Sequence, residues 1–510
     1  MSEPTTVLPR SQRLLVTFLI MAATLMVALD STIANVALPH MQASLSATTE
    51  SVSWVLTSYI LASAIALPVT GFLSDRFGRR NLFTCAIVGF TISSAICGVA
   101  ATLPLMVAAR VMQGLFGACL MPMSQAIMYD INPPNKHVQA MTIWGMVVMV
   151  GPISGPVLGG WLTDNFDWRW VFFINLPIGI GAAIGSWIML SNDVKPKRKF
   201  DLQGFIFLAL ALSGMQLMLD RGVTLDWFDA PEIWIELGIA VSAFWMFLVH
   251  TFTRKETILP RALFADRNFV TALLATVVIG GILVAGAALV APMMQRLLGY
   301  PVLVAGLLTA PRGAGTMVGM LIAGRASKFL DPRVTILTGI LLLVASLWMM
   351  TGFELSMDQS LVVSSGAIQG LGLGLVVLPL NLLAMTTLPA VLRTEAAAIY
   401  SLARSIGGSV AISVMTALIA SNTQISHADL GTHVTPIRAP FLTVGLLERF
   451  GLQGTDAMQF IDAEINRQAV MIAYIDDYWV MMWAAILIIP LIAILKRAKP
   501  GAEMPLPDGH

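Results

Sequence analysis

Runs of about twenty apolar residues recur from end to end of the chain, separated by short polar breaks. A run of that length forms a helix long enough to cross the ~30 Å hydrocarbon layer of a bilayer. The pattern predicts fourteen such helices, near 14–38, 51–73, 82–101, 104–128, 139–162, 169–190, 203–220, 232–252, 269–294, 303–325, 333–352, 360–385, 394–420 and 474–495. The polar stretch 421–473 is left as the longest connection. A loop of such length is usually functional or disordered. The first run carries Asp30 and is too long for the apolar core of a cleaved signal peptide.

Composition agrees with that pattern. Of 510 residues, 57% are hydrophobic and only 12% charged, against about 25% charged in soluble domains. The fold class that follows is an all-α polytopic membrane protein. Lys and Arg gather in alternate connections, as they do where loops face the cytoplasm. Arg10, Arg13, Arg76, Arg79, Arg80, Lys136, Lys195, Lys197, Arg198, Lys199, Arg254, Lys255, Arg261, Arg325, Arg333 and Lys496 fall on that side, and only Arg169, Arg221 and Arg296 in the short loops opposite. Both termini are therefore expected in the cytoplasm. Arg438 and Arg449 in the long loop do not weigh against this, because long loops cross regardless of charge.

Several function classes drop out. A net charge of +1 gives no basic surface for nucleic acid. The three cysteines lie singly in apolar runs and the six histidines make no ligand spacing, so neither disulfide, metal nor cofactor is expected. There is no Gly-Lys-Ser/Thr sequence to cradle a nucleotide phosphate. The chain is therefore not expected to be an ATP pump by itself.

The chain also repeats. "RVMQGLFGACLMP" at 110–122 resembles "GAIQGLGLGLVVLP" at 366–379, pairing Gln113 with Gln369 at an offset of 256 residues. "GFLSDRFGRR" at 71–80 resembles "GRASKFLDPR" at 324–333, at an offset of 253. Two six-helix halves follow, 1–198 and 261–510, with two further helices inserted in 199–260. The copies differ where Arg110 faces Gly366 and Asp75 faces Lys328. Charge kept in one half implies a task for that half.

Asp30 stands out, because an ionised Asp at a helix centre costs ~2.5–3.5 kcal/mol on insertion scales and intramembrane acids are functional by default. Arg110 reaches a comparable depth in the fourth span, so the two are expected to pair and to couple protons; a permanent structural ion pair is the alternative. In "GFLSDRFGRR", cytoplasmic Arg76, Arg79 and Arg80 satisfy the positive-inside tendency, but Asp75 beside them suits an ion-paired gate between the halves, with Gly71 and Gly78 at its turns and Asp130 as a possible partner. Gly151, Gly155 and Gly159 recur at every fourth residue, a bare stripe for close helix approach. Met26, Asn35, Gln113, Gln369, Asn381 and Arg404 are candidate linings of a substrate cavity, Met26 because it shares a helix face with Asp30.

These segments resemble the major facilitator superfamily, and within it the fourteen-span EmrB/QacA-type drug:proton antiporters. "GFLSDRFGRR" looks like the superfamily's signature between spans two and three. "ALDSTIANVALP" (28–39), "RVMQGLFGA" (110–118), "GPISGPVLGG" (151–160) and "WRWVFFINLP" (168–177) resemble the family's motifs in the first, fourth, fifth and sixth spans. The resemblance implies a proton-coupled multidrug efflux antiporter of a bacterial inner membrane, driven by the proton motive force and moving amphipathic or hydrophobic compounds by alternating access. It assigns Gly151, Gly155, Pro156, Gly159 and Gly160 to the antiporter motif. It also implies a periplasmic adaptor and an outer-membrane channel as partners, with 421–473 as a point of contact. An exporter of one endogenous metabolite, lipid or siderophore, and a non-transporting membrane scaffold, stand as alternatives.

Overall fold

The computed structural model describes residues 10–191, 199–254, 257–433 and 455–495. Lys195, Lys197, Arg198, Lys255, Lys496, Arg438 and Arg449 lie outside them, as do the extreme ends of the chain.

The apolar runs fold as helices throughout, with no strand among the described residues. The first half comprises α1 (Arg10–Ser44), α2 (Thr49–Ala66), α3 (Thr70–Phe77), α4 (Arg79–Val99), α5 (Leu103–Ile131), α6 (His137–Asn165), α7 (Trp170–Phe173) and α8 (Asn175–Met189). A single 3-10 turn, Leu67–Val69, joins α2 to α3, so the two form one span. In this half α1 packs on α6 and α8, and α5 on α2 and α4.

After α9 (Leu202–Arg221), α10 (Pro231–Thr253) and the short α11 (Arg261–Ala265), the second half repeats the plan with α12 (Arg267–Arg296), α13 (Val302–Ala326), α14 (Pro332–Met350), α15 (Gln359–Thr386), α16 (Arg393–His433), α17 (Thr455–Leu487) and α18 (Ile489–Ile494). Here α12 packs on α16, and α15 on α13 and α14. The halves meet chiefly through α6 against α13 and α5 against α16.

Among the described residues, thirteen helices are long and apolar enough to cross a membrane. The fourteenth expected span is α13, whose 25 residues are interrupted by Pro311, Arg312 and several glycines, which lower its hydropathy. It nonetheless packs along α15 inside the molecule.

The inserted pair α9 and α10 is tied at both ends. His250 Nε2 lies 2.8 Å from Asp201 Oδ1, and Arg221 Nη1 lies 2.7 Å from Glu236 Oε1. Trp234, Phe244, Trp245 and Phe252 of α10 are exposed, a face suited to lipid rather than water. α9 touches both halves: Asp220 accepts from the Thr57 hydroxyl of α2, and the carbonyl of Leu219 accepts from Ser413 Oγ of α16 at 2.7 Å.

The connection expected over 421–473 is largely helix. α16 runs on to His433 and α17 begins at Thr455, so only 434–454 falls between them, outside the described residues. At 1.5 Å per residue, α16 is ~60 Å long, about twice the hydrocarbon thickness. The polar composition that reads as loop is that of two helix ends whose polar side chains bond across: His427 Nε2 sits 3.0 Å from Asp462 Oδ1, and Asn422 Nδ2 donates to Asp476 Oδ2 at 3.1 Å.

Gly78 ends α3 and opens α4 with φ 82° and ψ 153°. That region is essentially closed to residues with a Cβ. Gly78→Ala is expected to destabilise the protein by about 1–3 kcal/mol, read as an earlier thermal unfolding transition in detergent; an unshifted transition would mean that the turn relaxes freely.

Candidate functional site

Asp30 lies on α1 and is 2% exposed, and Arg110 of α5 is 1% exposed. Arg110 Nη1 donates to Asp30 Oδ2 at 2.8 Å. The other carboxylate oxygen, Oδ1, accepts from Gln113 Nε2 at 2.8 Å and from Asn175 Nδ2 at 3.1 Å. Arg110 Nη1 also reaches Gln113 Oε1 at 2.7 Å, and its Nε reaches the Val55 carbonyl at 3.0 Å. The guanidinium lies 4.3 Å over the Tyr59 ring, a cation–π contact. Helices α1, α2, α5 and α8 thus converge on one buried carboxylate. A buried charge is tolerated when paired and hydrogen-bonded in this way.

Gln113 is three residues after Arg110 and so shares its helix face. That position takes it out of the expected cavity lining: it is fully buried and bonded to both charges. Asn175 was not among the expected site residues. It opens α8 after the break at Ile174, inside the segment "WRWVFFINLP", and its Nδ2 also contacts Ser94 Oγ at 3.1 Å. A polar residue at a break within an apolar span was the signal available for it.

The glycine stripe of α6 faces α1. A Cβ on Gly151 would lie 2.5 Å from the Ala28 backbone, one on Gly155 would overlap the Thr32 hydroxyl, and one on Gly159 would stand 3.3 Å from the Ile33 carbonyl. Thr32 Oγ1 donates to the Gly151 carbonyl at 3.1 Å. Gly160 has nothing within 4 Å of its Cβ position and takes no part in the contact. Pro156 lies within the same helix.

At the arginine-bearing end of the first half, Asp130 pairs with Arg79. Both helices, α4 and α5, belong to the same half, so this pair ties one bundle together rather than linking two. Arg80 lies 4.6 Å over the Trp187 ring, Arg76 is exposed and Asp75 is buried. Glu395 at the start of α16 packs on Gly71, leaving no room for a Cβ there. Gln125 Nε2 of α5 donates to Asn381 Oδ1 of α15 at 2.6 Å, and Arg393 lies 5.7 Å over the Tyr129 ring.

The remaining cavity candidates divide. Met26 and Gln369 are fully buried, and Asn381 serves the contact just described. Asn35 is exposed on α1, and Arg404 is half-buried, with Nη2 3.8 Å from Met121 Sδ across the interface.

Two repeated helical bundles, the first holding a buried ion pair, have the architecture of a polytopic transporter. Residues 20–412 match the Major Facilitator Superfamily, and the chain belongs to that family. It is 32% identical over 493 residues to the multidrug export protein EmrB of Haemophilus influenzae, covering 96% of each chain. To the fatty acid resistance protein FarB of Neisseria gonorrhoeae it is 34% identical, covering 94% of each. The structure of the proton:xylose symporter XylE superposes with a TM-score of 0.62 over 95% of each chain at 14% identity, a likeness of fold alone.

Proposed function

We propose that this protein is a proton-coupled multidrug efflux antiporter of a bacterial inner membrane. It exports amphipathic or hydrophobic compounds by alternating access, with both termini in the cytoplasm, and passes them to a periplasmic adaptor and an outer-membrane channel. The observation that carries the reading is the carboxylate of Asp30, held in the interior by Arg110, Gln113 and Asn175. Its relatives' names, a multidrug exporter and a fatty acid resistance protein, support the choice of substrate class.

The ion pair is formed while the halves touch at the arginine-bearing, cytoplasmic end through Glu395, Gln125 and Asn381. Rocking the halves apart there would strain α6 against α1 through the glycine stripe, two residues from Asp30. A carboxylate whose partners loosen in one state and close in the other changes its proton affinity between them, which is what a carrier requires. One proton entering down ~100 mV contributes ~2.3 kcal/mol, and each unit of pH gradient adds ~1.4 kcal/mol.

The test uses purified protein in liposomes with a pH-sensitive dye inside, challenged with cationic and neutral amphipathic compounds. Substrate-dependent proton movement is expected in the wild type and is lost in Asp30→Asn. Undiminished movement in the variant would place the carrier elsewhere, and none in the wild type would sink the antiport reading.

A further inference from the structure

The second half contains a guanidinium and a carboxamide like those of the Asp30 site, but no acid at the position equivalent to Asp30. At the offset of 256 residues that pairs Gln113 with Gln369, Arg110 pairs with Gly366 and Asp30 with Gly286. The guanidinium missing at Gly366 is supplied by the next helix: a Cβ on Gly366 would lie 3.7 Å from the Cβ of Arg312 on α13. The carboxylate is not replaced. A Cβ on Gly286 would stand 3.0 Å from Arg312 Nη2 and 3.5 Å from Gln369 Nε2, so a side chain there would point at the same pair of donors that hold Asp30 in the first half.

Those donors are left wanting. Gln369 is fully buried, and neither its Nε2 nor its Oε1 has a hydrogen-bond partner. Arg312 Nε has none either, while its Nη2 donates to the Leu283 carbonyl at 2.8 Å. Among the described residues no carboxylate lies within ion-pair distance of Arg312. A guanidinium and a carboxamide unsatisfied inside a membrane bundle are costly, and such groups mark ligand paths. Arg312 is only half-buried, so a ligand can approach it.

We propose that Arg312 and Gln369 bind the carboxylate of an amphipathic anion, which reaches the pair beside Gly286 from the half-buried side of Arg312. The guanidinium supplies a charge-assisted hydrogen bond and Gln369 Nε2 a second donor, the combination that Arg110 and Gln113 present to Asp30. The proposal rests on the transport reading above and names one of its substrate classes.

Binding of radiolabelled dodecanoate and of dodecyltrimethylammonium to the full chain in nanodiscs tests it without any proton gradient. Gly286→Asp sets a tethered carboxylate against the Arg312 guanidinium, and Arg312→Gln removes the charge. Each is expected to weaken dodecanoate binding about tenfold or more, while the cation's affinity stays within about twofold. Arg312→Lys should retain most of the dodecanoate affinity. Gln369→Leu, which touches no backbone, serves if Arg312→Gln does not elute as folded protein, and should also weaken dodecanoate alone. Dodecanoate affinity unchanged in Gly286→Asp, parallel loss of both probes in folded variants, or no dodecanoate binding by the wild type would overturn the site. A chain that binds dodecanoate through Arg312 yet moves no protons would leave the site standing and remove the antiport reading instead.

Discussion

Arg110→Ala lowers the unfolding free energy by about 3–5 kcal/mol, the usual cost of stripping one partner from a buried ion pair. Asp30 and Arg110 are both shielded from water, so no solvent can replace the lost guanidinium. The truncation also removes the hydrogen bonds that Arg110 gives to the Val55 carbonyl and to Gln113 Oε1. The double variant Asp30→Asn/Arg110→Gln removes both charges while keeping side chains that can hydrogen-bond. Replacing a buried pair with uncharged groups of similar volume is often neutral, so the double variant should unfold within a few degrees of the wild type. It should carry no protons. Tryptophan-fluorescence melting of the detergent-solubilised protein, run beside the liposome assay, separates the two effects. Wild-type melting by Arg110→Ala would mean that Gln113 and Asn175 suffice to hold the carboxylate, and the pair would lose its structural role.

How much of this was legible in the sequence depended on whether one helix or several set the outcome. The spans follow from apolar run length alone, and the depth of Asp30 and Arg110 follows from counting along two helices. Gln113 was visible as a polar residue but was assigned to a cavity, since its orientation depends on where α1 and α8 sit beside α5. Asn175 and Glu395 act only across elements far apart in the chain, and neither has a local pattern that announces a partner. The stretch 421–473 was misread for a different reason: beyond the membrane a helix no longer needs apolar residues, so its composition matches that of a loop. The unpartnered donors beside Gly286 could be located only by joining the repeat offset to the geometry of a third helix, α13.

Gly151→Ala should be among the most damaging single-methyl additions to this chain. Its Cβ would fall 2.5 Å from the carbonyl carbon and oxygen of Ala28, and a backbone cannot swing aside as a side chain does. α1 and α6 must separate, stretching the hydrogen bond from Thr32 to the Gly151 carbonyl and shifting Asp30, two residues past Ala28, relative to Arg110. Overpacking of this kind costs about 1–3 kcal/mol, sometimes more, and the displaced carboxylate should also reduce substrate-driven proton movement. Gly160→Ala provides the contrast. With nothing within 4 Å of its Cβ position, it should be neutral or gain up to ~1 kcal/mol from helix propensity, with transport unchanged. Melting and proton movement measured on both variants decide the point. Equal behaviour of the two would show that the small residues of this motif matter for something other than the close approach of α6 to α1.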